Sequence, residues 1–400
     1  MSTTDIDAVC PACGAQGLEI FHEEHDVPSH SCLLLDDAVH AREFPKGQLR
    51  LGFCVSCGFI TNVGFDASLS AYSARYEETQ GFSERFRMFA SDLAKRWVEN
   101  YDLHGKTVFE IGCGKGEFLV QMVEHGAGAG IGIDPGVNPA RIESEAADRL
   151  TWIADLYSEK YSHIEADAVV CRHTLEHISP VAEFLTLIRE GIGARTDVVA
   201  LFELPDVLRV LRETAFWDVY YEHCSYFSLG SLVRLFRRCG FEVLGANLEY
   251  DDQYIVLEAR PVDPAQRGSE AARIAGEDDL EALGEAAEHF ERSYLAMIDT
   301  WREKVGALTA QGKKVVIWGG GSKGVAFLTA LGESAGIEFA VDINPFKHDK
   351  FMAGGGQRVV SPEFLVDYRP DVVVVMNEIY RQEIAAALEK LAIEAELWSV

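Results

Sequence analysis

The stretch GKTVFEIGCGKGEFLVQMVEHGAGAGIGIDP, residues 105–135, decides the architecture of this chain. TVFEI reads as a buried strand and EFLVQMVEHG as a helix, joined by a turn in which Gly112, Gly114 and Gly116 lie two residues apart. The glycines let a ligand approach the backbone, and the helix N-terminus faces that ligand. The spacing is ExGxGxG, not the GxGxxG of a dinucleotide fingerprint, and it brings Glu110 to the end of the strand. A carboxylate there disfavours a pyrophosphate and suits a ligand bearing an ammonium group. The next strand, AGIGID, ends in Asp134, placed to accept two ribose hydroxyls. A third, LTWIAD, ends in Asp155, which suits an adenine amino group. A fourth, DAVVC, runs into RHTLEHI, with Arg172 and His177 on the same edge.

Four strand ends with polar residues at the carboxyl edge describe an α/β doubly wound, Rossmann-like sheet with its ligand at that edge. The sheet continues through DVVALFELPDV and closes with FEVLGANLEY and DQYIVLEARP, joined by a turn near Asp251 and Asp252. This pattern resembles the class I S-adenosylmethionine methyltransferases. The resemblance implies S-adenosylmethionine as cofactor, held by Glu110, Gly112, Gly114, Gly116, Asp134, Asp155 and Arg172.

Upstream lie four of the nine cysteines, as two CxxC pairs: Cys10 with Cys13 (CPAC) and Cys54 with Cys57 (CVSC). Each knuckle presents two thiolates on a tight turn, and two knuckles complete a closed structural Zn²⁺ site. An odd cysteine count fits a disulfide framework badly. The spacer of about forty residues exceeds the usual roughly 15–20 for such sites and describes an inserted zinc ribbon. His22, His25 and His30 in that spacer read as surface or locally hydrogen-bonded residues and not as ligands. The balance of 36 Lys and Arg against 64 Asp and Glu, a net charge of −28, repels phosphate backbones and argues against nucleic-acid binding. No apolar run approaches the roughly 18 residues of a membrane span, and the polar opening MSTTDIDAV is no signal peptide. A soluble, cytoplasmic protein acting on a small molecule is expected.

From Ser83 onward Phe86, Phe89, Leu93 and Trp97 fall at helical spacing, and Tyr76 just before them is placed to reach a cleft. Residues from about 264 to 308 turn acidic and helical, with Leu280, Leu283, Ala287, Phe290 and Tyr294 on one face of a single long linking helix. A second βα unit follows, with GxGxxG at Gly319, Gly321 and Gly324 and an acidic strand end at Asp342. Lys323, Lys347 and Lys350 near that edge read as a pocket for a phosphorylated ligand, formed with Gly321 and Ser322. A purely scaffolding role for this unit remains open.

The segment FWDVYYEHCSYFSLGSLVRLF, beginning at Phe216, is the densest polar-aromatic text in the chain and reads as a loop hung over the cofactor edge. His223 is a candidate base with Glu222 beside it to orient it, while Tyr220, Tyr76 and His177 are candidate donors. Tyr226 and Phe227 read as core, and Ser228 or Ser231 as the cap of the helix that follows. Taken whole, the order of two CxxC pairs, ExGxGxG, YYEH, long helix and GGGSKG with DINPFKHDKF is similar to that of the three-domain zinc-containing sugar C-methyltransferases. That resemblance implies a zinc module over residues 1–65, a methyltransferase domain over 66–263, a linking helix over 264–310 and a Rossmann-like substrate-binding domain over 311–400. It also implies Tyr220, Glu222 and His223 as active-site trio, His177 as a further active-site histidine, and C-methylation of a nucleotide-linked keto-deoxysugar. Two segments, YSARYEETQGFSERF and VVMNEIYRQEI, depart from that pattern where substrate would be touched. An O- or N-methyltransferase acting on another, phosphorylated metabolite is the alternative.

Overall fold

A computed structural model describes residues 3–70, 76–263 and 272–400. Three sheets organise them. The first is antiparallel, in the order Thr3–Val9, Gln16–Pro28, Lys46–Phe53, Ile60–Asn62, and its last strand is Ser225–Tyr226, contributed from far along the chain. Ser225 pairs with Thr61 and Tyr226 with Ile60, so the YYEH segment is zipped onto the N-terminal sheet and does not hang free as a loop.

The second sheet has seven strands, with Thr107–Ile111 lying between the central strand Ala168–Arg172 and Ala129–Ile133. Val199–Pro205 and Leu150–Ile153 extend the parallel core on either side. The antiparallel hairpin Phe241–Glu249 and Tyr254–Pro261 closes one edge. Its turn is made by Tyr250, Asp251 and Asp252, all in the left-handed region, where aspartate is tolerated better than most residues. Helix Glu84–Asn100 starts where expected, with the Ser83 side chain accepting from Phe86 N–H, and it buries Phe86, Leu93 and Trp97. Ser228 caps helix Leu229–Arg238, and Ser231 answers it reciprocally as a capping box.

The third sheet is entirely parallel, in the order Arg358–Val360, Phe339–Val341, Val315–Trp318, Val372–Val375, Glu396–Ser399. Its central strands are continuous buried valines and isoleucine, as a sheet covered on both faces requires. The linking helix runs Leu280–Thr309 and is shorter than expected: residues 272–279 are not helical, and residues 264–271 lie outside the described residues. Phe290 and Leu283 are fully buried on that helix, and its apolar face joins one core with the N-terminal strands, the helix Val207–Glu213 and the third sheet. A second core joins the cysteine knuckles to one face of the seven-stranded sheet. Among the described residues no helix is long and apolar enough to cross a membrane.

Candidate active site

One continuous cavity of about 1810 Å³ runs from the glycine loop past the YYEH segment to the carboxyl edge of the third sheet. A single-ligand pocket holds roughly 300–1,000 Å³, so this space suits two ligands side by side. Glu110, Gly112, Gly114, Asp134, Asp155, Arg172, His177, Tyr76, Tyr220, Glu222, His223, Gly321, Ser322, Lys323 and Lys347 all line it. Gly116 does not; it is the N-cap of helix Glu117–Glu124, in a left-handed conformation that only glycine enters without strain.

At the cofactor end, Glu110 is 2% exposed and its Oε2 has no hydrogen-bond partner among the described residues. Burial pushes its carboxyl up to about 8, against the pull of Arg172. Asp134 accepts N–H bonds from Gly136 at 2.6 Å and Gly114 at 3.1 Å, which fixes the carboxylate at the strand end. A second acid, Glu78, was not singled out from the sequence. Its Oε1 lies 2.8 Å from where a Cβ on Gly114 would stand, its Oε2 is buried without a hydrogen-bond partner, and burial raises its carboxyl to about 7. Asp155 is engaged by Tyr161 Oη at 2.6 Å and Lys160 Nζ at 3.0 Å, and its carboxylate is nearly half exposed at the cavity rim. Arg172 turns to Glu203, 2.6 Å away, and lies 3.9 Å over the Phe118 ring, so its guanidinium is part of the wall beneath Glu110.

At the YYEH end a turn closed by His223 N–H donating to Tyr220 O (3.2 Å) folds the imidazole back onto the phenol. Tyr220 Oη and His223 Nε2 are hydrogen-bonded at 2.9 Å. Burial, aided by His177, His173 and Lys323, drives His223 well below the usual histidine range, and burial holds the Tyr220 phenol well above its own. The result is a neutral imidazole beside a protonated phenol. His177 Nδ1–H donates to Glu222 O at 3.0 Å and sets its ring edge-on to His223 with centroids 4.8 Å apart.

Glu222 does not orient His223. The turn sends its carboxylate the other way, to His30 Nδ1 at 2.9 Å, to Ser31 N–H at 2.8 Å and to the Ser31 hydroxyl. Burial works against the ionised form, but His30 and Ser31 hold the Glu222 carboxyl below its ordinary value. His30 is therefore not a surface residue: it is 3% exposed and packs near the Tyr76 ring. The Ser31 hydroxyl, its proton given to Glu222, accepts from the Ser322 hydroxyl at 2.8 Å, tying the first sheet, the YYEH segment and the GGGSKG helix together.

The expected free lysine cluster is not there. Lys347 is buried against Asp342 at 3.1 Å, and Lys350 reaches Asp36 at 2.6 Å. Lys323 meets Asp218 at 2.5 Å, and Arg209 bridges the same carboxylate and Glu213, each at 2.8 Å, so two cations and two carboxylates balance at this corner, with Lys323 on the cavity lining. The four knuckle cysteines have their sulfurs within 4.8 Å of one another, with Cys10–Cys57 at 3.7 Å and Cys13–Cys54 at 3.6 Å. A tetrahedral Zn²⁺ with bonds near 2.3 Å needs sulfurs about 3.8 Å apart, so the donor set fits the metal.

Residues 82–246 match the methyltransferase-domain family, and residues 264–396 match the C-methyltransferase C-terminal domain. The C-methyltransferase NovU of Streptomyces niveus is 29% identical over 294 residues, 70% of this chain and 68% of that protein. Ribosomal protein L11 methyltransferase of Pasteurella multocida (strain Pm70) is 30% identical over 167 residues, 38% of this chain and 50% of its own. Among solved structures, magnesium protoporphyrin IX methyltransferase of Synechocystis PCC 6803 is 15% identical, covers 46% of this chain and 88% of its own, and has a TM-score of 0.36, too slight a likeness to carry argument. With its ExGxGxG loop at the head of a cavity for two ligands, the chain is an enzyme, an S-adenosylmethionine-dependent methyltransferase.

Proposed function

We propose that the enzyme is a C-methyltransferase acting on the carbon beside a ketone in a nucleotide-linked deoxysugar, with His223 as base. The observation that carries this reading is the neutral His223 imidazole bonded at 2.9 Å to Tyr220 inside the cofactor cavity. A heteroatom nucleophile has its own lone pair, whereas a carbon beside a ketone becomes nucleophilic only after a proton leaves. When bound, S-adenosylmethionine supplies an electrophilic methyl group whose bonding pair departs with sulfur.

Glu110 and Glu78, with buried carboxylate oxygens, would hold the ligand's ammonium, Asp134 its ribose hydroxyls and Asp155 its adenine amino group. His223 takes the substrate's α-proton, the C–H pair passing into an enolate, and the Tyr220 hydroxyl steadies the neighbouring oxygen. Tyr76 and His177 line the same wall. Lys323, with Arg209 beside it, faces the substrate's phosphates, while Gly321, Ser322 and Lys347 shape that end of the cavity. Cys10, Cys13, Cys54 and Cys57 hold a structural Zn²⁺ remote from these steps.

The test is exchange. In D2O the enzyme should wash the α-proton out of a keto-deoxysugar nucleotide, and His223→Ala should lose this exchange while keeping S-adenosylhomocysteine affinity. An O- or N-methylated product formed without exchange would refute the proposal.

A further inference from the structure

A base that accepts a proton inside a buried site becomes a cation there, and an unpaired buried cation is costly. Glu222 cannot answer it, because its carboxylate is turned to His30 and Ser31. His177, His173 and Lys323, which push the His223 imidazole toward the neutral form, are basic. Tyr220 faces it with a neutral hydroxyl.

Glu176, one residue before His177, is placed differently. It is 3% exposed, and a carboxylate oxygen lies with a ring nitrogen of His177 and of His223 in one group whose members are all within 4.8 Å of one another. Its Oε2 is buried with no hydrogen-bond partner among the described residues. Its Oε1 lies 3.7 Å from His173 Nδ1, and His173 Nε2 is in turn 2.9 Å from Glu203 Oε1, whose other oxygen takes Arg172 Nε at 2.6 Å. Glu176, His173, Glu203 and Arg172 thus form a buried row of alternating acidic and basic groups, and its Glu176 end brings a carboxylate oxygen within 4.8 Å of a ring nitrogen of each of the two imidazoles. His173 itself is held in a left-handed conformation, with φ of 46°, that brings its ring between the two acids.

We propose that Glu176 is the positioning residue and counter-ion of the His223 base, the part that chain order assigns to Glu222. The proposal rests on His223 being the base. In the step, the substrate's C–H bond breaks, its electron pair enters the enolate, its proton goes to His223, and the new imidazolium is neutralised by the Glu176 carboxylate until water takes the proton after methyl transfer. The surrounding row holds the Glu176 side chain in place.

The experiment uses zinc-loaded, full-length enzyme with S-adenosylmethionine and a keto-deoxysugar nucleotide. Glu176→Gln should lower kcat and deuterium wash-out together by at least tenfold, with KM and S-adenosylhomocysteine affinity within about twofold of wild type. The acid limb of its kcat–pH profile should move to lower pH, since an imidazolium without its counter-ion loses its proton more readily. Glu176→Asp should recover part of the rate, which keeps the test sound if the amide variant is poorly folded. A Glu222→Gln variant should leave the limb where it is. Wild-type exchange in Glu176→Gln, or an unmoved acid limb, overturns the assignment. So does a rise in wild-type turnover on adding Mn²⁺ that Glu176→Gln abolishes, because the trio would then be ligating a cation. His223→Gln separates the two claims: exchange surviving there removes the base, whereas exchange lost there but kept in Glu176→Gln removes only Glu176.

Discussion

Glu110→Gln is the perturbation that tests the cofactor end most directly. In the folded, ligand-free protein burial lifts the Glu110 carboxyl from 4.5 to about 8, so at pH 7 the native state carries a proton that the unfolded chain has lost. The folded state binds more protons between those two values, and stability must therefore fall as pH rises through that window. At roughly 1.4 kcal/mol per pH unit, the penalty reaches about 3 kcal/mol at pH 7 and levels near 5 kcal/mol above pH 8. Glutamine has no proton to lose, so calorimetric melts of the variant between pH 5 and 8.5 should lack this component of the slope. The same proton gives a second reading. A bound ammonium favours the carboxylate, so S-adenosylhomocysteine should displace most of one proton at pH 7, seen as binding enthalpies that differ between phosphate and Tris. The variant should lose the Glu110 share of this release, keeping only what Glu78 gives up, and bind at least tenfold more weakly. If wild type and variant melt along parallel curves, and binding enthalpy ignores the buffer, the assignment of Glu110 to the ligand's ammonium is wrong.

Three other variants probe the remaining parts. His30→Ala strips the buried Glu222 carboxylate of its ring partner and should cost about 3 kcal/mol in stability, read by urea melts, with a fall in kcat at little change in cofactor affinity. Gly112→Ala drives a Cβ to 2.0 Å from Thr174 Oγ1 at a φ of +72°, so S-adenosylhomocysteine affinity should fall by at least tenfold in calorimetry even where the protein folds. Cys54→Ser should lower zinc content, measured by elemental analysis, from one per chain toward zero and reduce the melting temperature by several degrees.

Most of the cofactor half was legible because buried parallel strands leave little freedom in sequence. TVFEI, AGIGID and DAVVC fall within a residue or two of the observed strands, and Glu110 and Asp134 follow from standing at their ends. Partners across the chain were not legible. His30 and Glu222 are 192 residues apart, and nothing local in HEEHDVPSH distinguishes a surface histidine from one drawn into the YYEH segment. The Glu222–His223 pairing failed for a local reason instead: the turn from Tyr220 O to His223 N–H sends neighbouring side chains to opposite sides. The lysines misled because a cation's partner decides its role, and Asp218 and Asp36 come from other parts of the fold. Glu78 and Glu176 had signals that were present but unread. Each is the acid of a short polar run, YEE and LEH, beside a residue already suspected.

The knuckle cysteines do not line the cavity, yet the topology ties the first sheet to the turn that carries His223. The CVSC knuckle joins Lys46–Phe53 to Ile60–Asn62, and Ile60–Asn62 is the strand onto which Ser225–Tyr226 pairs. A three-residue strand meeting a two-residue strand has little stability of its own, so what fixes the knuckle fixes the register of the segment just after His223. Thr61 Oγ1 and Asn62 N–H both donate to Cys224 O, at 3.0 and 2.9 Å, which pins the residue that follows the imidazole. The CPAC knuckle precedes the strand Gln16–Pro28 that leads to His30 and Ser31, and these grip the carboxylate on the other side of the same turn. The turn bearing the proposed base is thus clamped from both flanks by one sheet, and the proposed zinc joins two hairpin turns of that sheet. A metal held by these four cysteines would serve the proposed chemistry without touching substrate, by removing the alternative registers in which His223 would face away from Tyr220.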